Sequence, residues 1–191
     1  MKIKYKITLH SMWHCGSGES KGADMDALVI KDSNGLPYIP GKTIKGLIKD
    51  GMQELAEVGE LVSNENIWQI FGKEANNYDG IIGQCFFNNA TMPKVLKEYL
   101  SGQGNAYQKY LFFKLTSTSI DGQTGVAKDH SLRSMEATVP MELVGEILDV
   151  PDGLYSKLEQ AMQMVKGLGV GRNRGLGRCT FEIIEKQGGV K

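Results

Sequence analysis

Five glycines and three arginines share the stretch from Gly167 to Arg178, GLGVGRNRGLGR. Glycine tolerates positive φ and close backbone approach, and arginine presents a planar fork of donors matched to phosphate. A segment offering both can hold a polyanion with main-chain and guanidinium groups together, which points first to nucleic acid. Two other readings compete with it. A GxGxxG run suggests a dinucleotide site, but that fingerprint needs a strand before the glycines and a helix after them. Here the order is reversed: Leu154, Leu158, Ala161, Met162, Val165 and Leu168 recur at helical spacing before the loop, and residues 179–184 alternate like a strand behind it. A helix C-cap followed by a flexible turn accounts for the glycines but not for the arginines.

Charge distribution supports the polyanion reading where total charge does not. The chain of 191 residues carries 22 Lys+Arg against 22 Asp+Glu, so bulk electrostatics attracts nothing in particular. Yet Lys166, Arg172, Arg174 and Arg178 sit together without an acid, whereas residues 51–100 hold three lysines against seven acids. The first fifty residues hold eight lysines against five acids, a second basic contribution if that segment packs near the loop. Taken alone, such a cluster is also what a solvated face looks like.

The elements that must position these groups follow from periodicity. Ile3, Tyr5, Ile7 and Leu9 alternate with polar residues, which predicts a half-buried strand over Lys2 to Met12. A glycine-rich connection from Cys15 to Gly22 leads to Ala27–Ile30 and to the turn Asp32-Ser33-Asn34-Gly35. From Gly41, Ile44, Leu47, Ile48, Met52, Leu55 and Val58 form an apolar stripe, with Lys42, Lys45 and Lys49 on another face. A short helical piece (66–72), a strand (80–89), a helix (93–100) and extended segments at 110–119, 133–142 and 143–148 complete the middle. The order strand, helix, strand, long insert, strand, helix, strand predicts an α+β, RRM/ferredoxin-like βαββαβ core in one domain, 1–191. No apolar run approaches membrane-spanning length, and no leader is evident, so no membrane association and a cytoplasmic location are expected. Cys15, Cys85 and Cys179 share no short spacing and are expected to be core thiols, not a disulfide or zinc set.

Four segments together resemble the RAMP superfamily of CRISPR–Cas proteins, and within it the backbone subunits of type III effector complexes. The glycine loop is similar to the family's C-terminal glycine-rich motif, and DMDALVIKDSNGLPYIPGKTIKGLIK (24–49) to its acidic loop, strand and helix start. Met12-Trp13-His14-Cys15-Gly16-Ser17-Gly18 resembles its turn after the first strand, and residues 119–127 its thumb hairpin, an insertion around 113–140. The resemblance implies a subunit that binds CRISPR guide RNA, stacks with copies of itself and other effector subunits, and receives complementary target RNA. It implies guide contacts from Lys42, Lys45, Lys49, Gly169, Gly171, Arg172, Asn173, Arg174 and Arg178, with His14 the next candidate. It also places Asp26 where cleaving members carry the aspartate needed for target scission. That carboxylate could accept the proton of a ribose 2′-hydroxyl or hold a divalent cation, Mg2+ being the first choice. Asp24 either assists or is a solvated loop acid. Departures exist: Ala27-Leu28 stands where a small residue and proline often follow the aspartate, and Lys42-Thr43 replaces a usual serine pair. Three alternatives stay open: a non-catalytic scaffold or capping subunit of the same complex, a guide-processing ribonuclease using His14, and a nucleotide-binding enzyme. The chain's length opposes the second and its element order the third.

Overall fold

Alternation of Ile3, Tyr5, Ile7 and Leu9 with lysines and threonine makes β1 (Lys2–Leu9) a strand with one fully buried face. The computed structural model describes residues 1–22, 24–59, 62–74 and 80–188. β1 is central and pairs antiparallel with β5 (Glu142–Leu148) on one side and β6 (Cys179–Gln187) on the other. β2 (Phe86–Phe87) adds to the far edge of β5, giving the order β2-β5-β1-β6. The crossovers are α1 (Gly41–Val58), between β1 and β2, and α4 (Tyr155–Met164), between β5 and β6. This is the ferredoxin-like βαββαβ arrangement that the element order predicts. α1 and α4 pack against one another, closest at Gly51, where an added Cβ would press into the carbonyl of Ala161. Ile44, Ile48 and Met52 of α1 join Leu158, Ala161 and Met162 of α4 over the buried face of the sheet.

Two excursions decorate this core. α2 (Asn64–Phe71) follows α1 and is started by a capping box between Ser63 and Asn66. Between β2 and β5 the chain forms α3 (Lys94–Ser101), a 3₁₀ segment (Asn105–Leu111), and the antiparallel pair β3 (Phe112–Ser117) and β4 (Arg133–Thr138). No described helix is long and apolar enough to cross a membrane.

Several expectations shift at their edges. The strand foreseen over 80–89 contracts to two residues, and α4 stops at Met164 because Leu168 turns to donate its N–H to Gly177. Val58 is 86% exposed, because α1 runs past the core it covers. The N-terminal lysines add nothing to a free basic surface. Lys2 lies 2.8 Å from Glu146, and Lys6 lies 3.3 and 3.2 Å from Glu142 and Glu182. The register sets Lys6 directly opposite Glu182, while Lys2 and Lys6 reach Glu146 and Glu142 diagonally, two residues along β5. The three cysteines are free and buried, with burial pushing the Cys85 and Cys179 thiols up to about 11.

Candidate nucleic-acid interface

The glycine-rich loop returns from α4 to the start of β6 as a closed strap. Gly167 bridges to Arg178, the Leu168 N–H donates to Gly177 O at 2.9 Å, and Cys179 N–H to Lys166 O at 3.1 Å. It lies flat on the turn that follows β1: Gly177 N–H donates to Met12 O (2.7 Å) and Val170 N–H to His14 O (3.0 Å). Two positions require glycine. Gly169 (φ 76°) sits so close to His14 O, and Gly177 (φ 67°) so close to Leu168 O, that any Cβ would overlap those oxygens. Between them Arg172–Arg174 forms one 3₁₀ turn, bounded by Gly171 and Gly175 in the left-handed region. Arg172, Asn173, Arg174 and Arg178 are all exposed, and among the described residues none of the three arginines forms an ion pair. The backbone is over-determined while the cationic heads are free.

The turn beneath the strap connects to a second arm. Residues 15–17 run beside 28–30, with Ile30 N–H donating to Cys15 O (2.8 Å) and Ser17 N–H to Leu28 O (2.9 Å). The far end of this excursion, which carries Asp24 and Asp26, rests on β4. Asp26 N–H donates to Ser134 O (2.8 Å), Ser134 N–H returns to Asp26 Oδ2 (2.7 Å), and the Ser134 hydroxyl donates to Asp24 O (2.9 Å). Asp26 remains exposed, and among the described residues its Oδ1 has no hydrogen-bond partner. Two residues along β4, Glu136 joins the arms. Its N–H donates to Ala27 O (2.9 Å), its carbonyl accepts from His14 Nδ1 (2.6 Å), and its buried carboxylate accepts from Val29 N–H (3.0 Å) and Lys31 Nζ (2.8 Å). A carbonyl can only accept, so Nδ1 carries the proton of this contact. His14 itself is buried.

α1 enters from a third side. Gly41 N–H donates to Asn89 Oδ1 (2.8 Å). Burial pushes the Cys15 thiol up, against a hydrogen bond from Thr43 and the charge of Lys42, so the first turn of α1 lies beside the His14 turn. The structure thus gathers His14, Lys42, Gly169 and the loop that follows it around one junction. It does not gather the rest. Arg172 and Asn173 line a cleft with Leu47, Asp50 and Glu54 of α1. Lys45 and Lys49 line another on the flank toward α2, with Phe71 and Gly83. Glu136 and Lys31 escaped sequence reasoning, because a lone acid in a short strand and a lone lysine in a loop look like ordinary surface residues. Among the described residues, no group of three or more His, Cys, Asp or Glu side chains could hold a metal ion.

Comparison with known proteins follows from this geometry. A model of the RAMP superfamily matches residues 6–180. No curated protein matches the chain significantly. Among solved structures, a chain of the type III-B Cmr-β complex bound to cognate target RNA superposes with a TM-score of 0.75 at 13% identity, covering 96% of this chain and 97% of that one. A chain of the apo state of type III-B Cmr-β superposes with a TM-score of 0.72 at 15% identity, covering 97% and 98%. At such identities the likeness establishes the shared fold.

Proposed function

This chain belongs to the RAMP superfamily, and on that premise we propose that it is a guide-RNA-binding backbone subunit of a type III CRISPR–Cas effector complex that cuts RNA complementary to the guide. The observation that carries the reading is the strap clamped on the Met12–His14 turn, which holds its backbone rigid and leaves Arg172, Arg174 and Arg178 exposed and, among the described residues, without an ion pair. Phosphate contacts of this kind position a strand without reading its sequence. Gly169 and Gly171 admit close backbone approach, Asn173 and Lys42 supply further donors, Lys45 and Lys49 offer a separate basic contact on the flank toward α2, and buried His14 holds the turn beneath the strap. The β3–β4 hairpin is the thumb of a single domain, and copies of the chain stack along the guide beside other effector subunits. That the Cmr-β chains of similar fold come from a type III-B complex, one bound to target RNA, supports this assignment.

Cutting falls to Asp26. Its engaged oxygen fixes the carboxylate on the hairpin, and the other is free to accept the 2′-hydroxyl proton beside the scissile phosphate. One carboxylate oxygen is the donor that Asp26 offers, so a divalent ion there would draw its remaining ligands from water and substrate phosphate, as Mg2+ commonly does. Asp26 would hold such an ion, which when bound would stabilise charge developing on the phosphate. A non-catalytic scaffold is the second reading, favoured by the Ser134 N–H that already occupies half of the carboxylate. The test is to purify the assembled complex from its native host, sequence its RNA, and offer labelled complementary RNA with and without chelator. Repeat-derived guides and chelator-sensitive cutting are expected; guides without cutting leave the scaffold, and no guide RNA overturns the assignment.

A further inference from the structure

We propose that the shoulder built from the end of α3, the 3₁₀ segment and the start of β3 is a second RNA surface, on which bases of single-stranded RNA stack. It goes beyond the guide-binding reading and does not depend on it. In RRM domains the open sheet face carries the stacking aromatics. Here the central strands fill that face with Lys–Glu pairs, such as Lys2–Glu146 and Lys6–Glu182. Among the described residues the main sheet has one exposed aromatic, Phe86 of the edge strand β2 (61%), whereas Tyr99, Tyr107, Tyr110 and Phe113 are 49%, 56%, 62% and 46% exposed and fall on the shoulder.

Their arrangement is ordered. Tyr107 and Tyr110 are three apart within Asn105–Leu111, and i and i+3 side chains of a 3₁₀ helix eclipse one another, about 6 Å apart along the axis. Tyr99 reaches the start of the same segment, its ring pressed on Gly104 where a Cβ would collide with it. In β3, Phe112 turns toward Lys31, whose Nζ lies 4.0 Å from the ring centroid, and the alternation of the strand sends Phe113 to the opposite face.

Charge selects RNA over a protein partner. No acid occurs between Glu98 and Asp121, a span that contains Lys109 and Lys114. Lys109 Nζ sits 5.0 Å from the Tyr110 centroid and, among the described residues, forms no ion pair, whereas Lys114 alternates onto the Phe112 face, across from Glu136. Exposed rings beside a free cation are what sequence-tolerant binding of single strands uses. A protein-docking surface would not need the acids removed.

The test titrates the full-length protein against a fluorescein-labelled oligouridine of about twelve nucleotides, a length spanning one site of this kind, at several salt concentrations. Tyr107→Ala and Tyr110→Ala should each weaken binding about tenfold with the salt slope unchanged, while Tyr110→Phe retains affinity. Lys109→Gln should lower the slope by about 0.7. In an Arg172→Ala, Arg174→Ala background the residual affinity should still depend on Tyr110, which separates this surface from the glycine strap. Unchanged affinity in the alanine variants overturns the proposal, as does equal loss in Tyr110→Phe. So does equal competition by duplex RNA, or a change in sedimentation with no change in RNA affinity, which would mark a protein interface.

Discussion

The strap at 167–178 and the excursion that carries Asp26 are both loops docked by backbone hydrogen bonds, yet they are held by opposite means. The strap is fixed by steric necessity: Gly169 and Gly177 have positive φ and lie against carbonyl oxygens, so main-chain geometry alone sets its path and its charged side chains take no part. The acidic excursion is fixed partly by the group expected to react, since Asp26 Oδ2 caps Ser134 N–H and the neighbouring clamp uses the buried Glu136 carboxylate with Lys31. Glycine at position 22 there (φ 54°) faces open space. Binding groups stay wholly available where the backbone does the holding, and are half spent where the side chain helps.

The contrast can be broken by experiment. Gly177→Ala should cost about 3 kcal/mol or more in chemical denaturation, against about 1 kcal/mol for Gly22→Ala, where only the positive φ is strained. Equal costs would mean that the strap is no more constrained than the acidic loop. Asp26→Asn keeps an acceptor for Ser134 N–H but removes the charge, so target cutting by the reconstituted complex should fall about 100-fold or more while guide affinity stays constant. Wild-type cutting by that variant would leave only the scaffold reading. Replacing Arg172 and Arg174 together by alanine should weaken guide binding about tenfold and lower its salt slope by about 1.4, with no change in melting temperature, since neither side chain is paired.

The smallest effect concerns the turn at the base of the excursion. Burial would raise the Asp32 carboxyl, but Lys97 at 2.8 Å and the N–H groups of Leu36 and Asn34 outweigh it and hold the group below the usual carboxylate range. A pKa lowered by folding contributes stability above the unfolded value of about 4, and that contribution drains away as pH falls through the folded value. Asp32→Asn should flatten the acid limb of the stability profile by less than about 1 kcal/mol, as the pair is partly exposed. An unaltered limb would show that the turn's Asn34 and Leu36 hydrogen bonds do not depend on the charge.

Local periodicity made the core legible. The alternation in β1 and the 3.6-residue stripe of α1 need only neighbours in the chain, and so does the turn at Asp32, where Oδ1 accepts from Asn34 and Leu36 N–H and Gly35 takes φ 77°. Where burial depends on distant partners, the reading drifted. Residues 80–89 look strand-like, yet the ladder to β5 holds Phe86 and Phe87, with one more bond from Asn88 N–H to Glu146 O, because the edge of a sheet offers a ladder on one side alone. Lys2 and Lys6 look like free charge until β5 and β6 set glutamates within their reach. Glu136 was invisible for the same reason: its partners Val29, Lys31 and His14 lie more than a hundred residues away.

From sequence alone come the class of the fold, the phosphate-seeking composition of the strap and the aspartate of the family motif, since each depends on residue type and short spacing. Tertiary structure decided which of these meet. It set the strap on the His14 turn, carried Asp26 to β4, and placed Lys45 and Lys49 in a different cleft from Arg172. The physical reason is that the hydrogen bonds and close contacts joining these parts link residues far apart in the chain, and no periodicity records a distance through space.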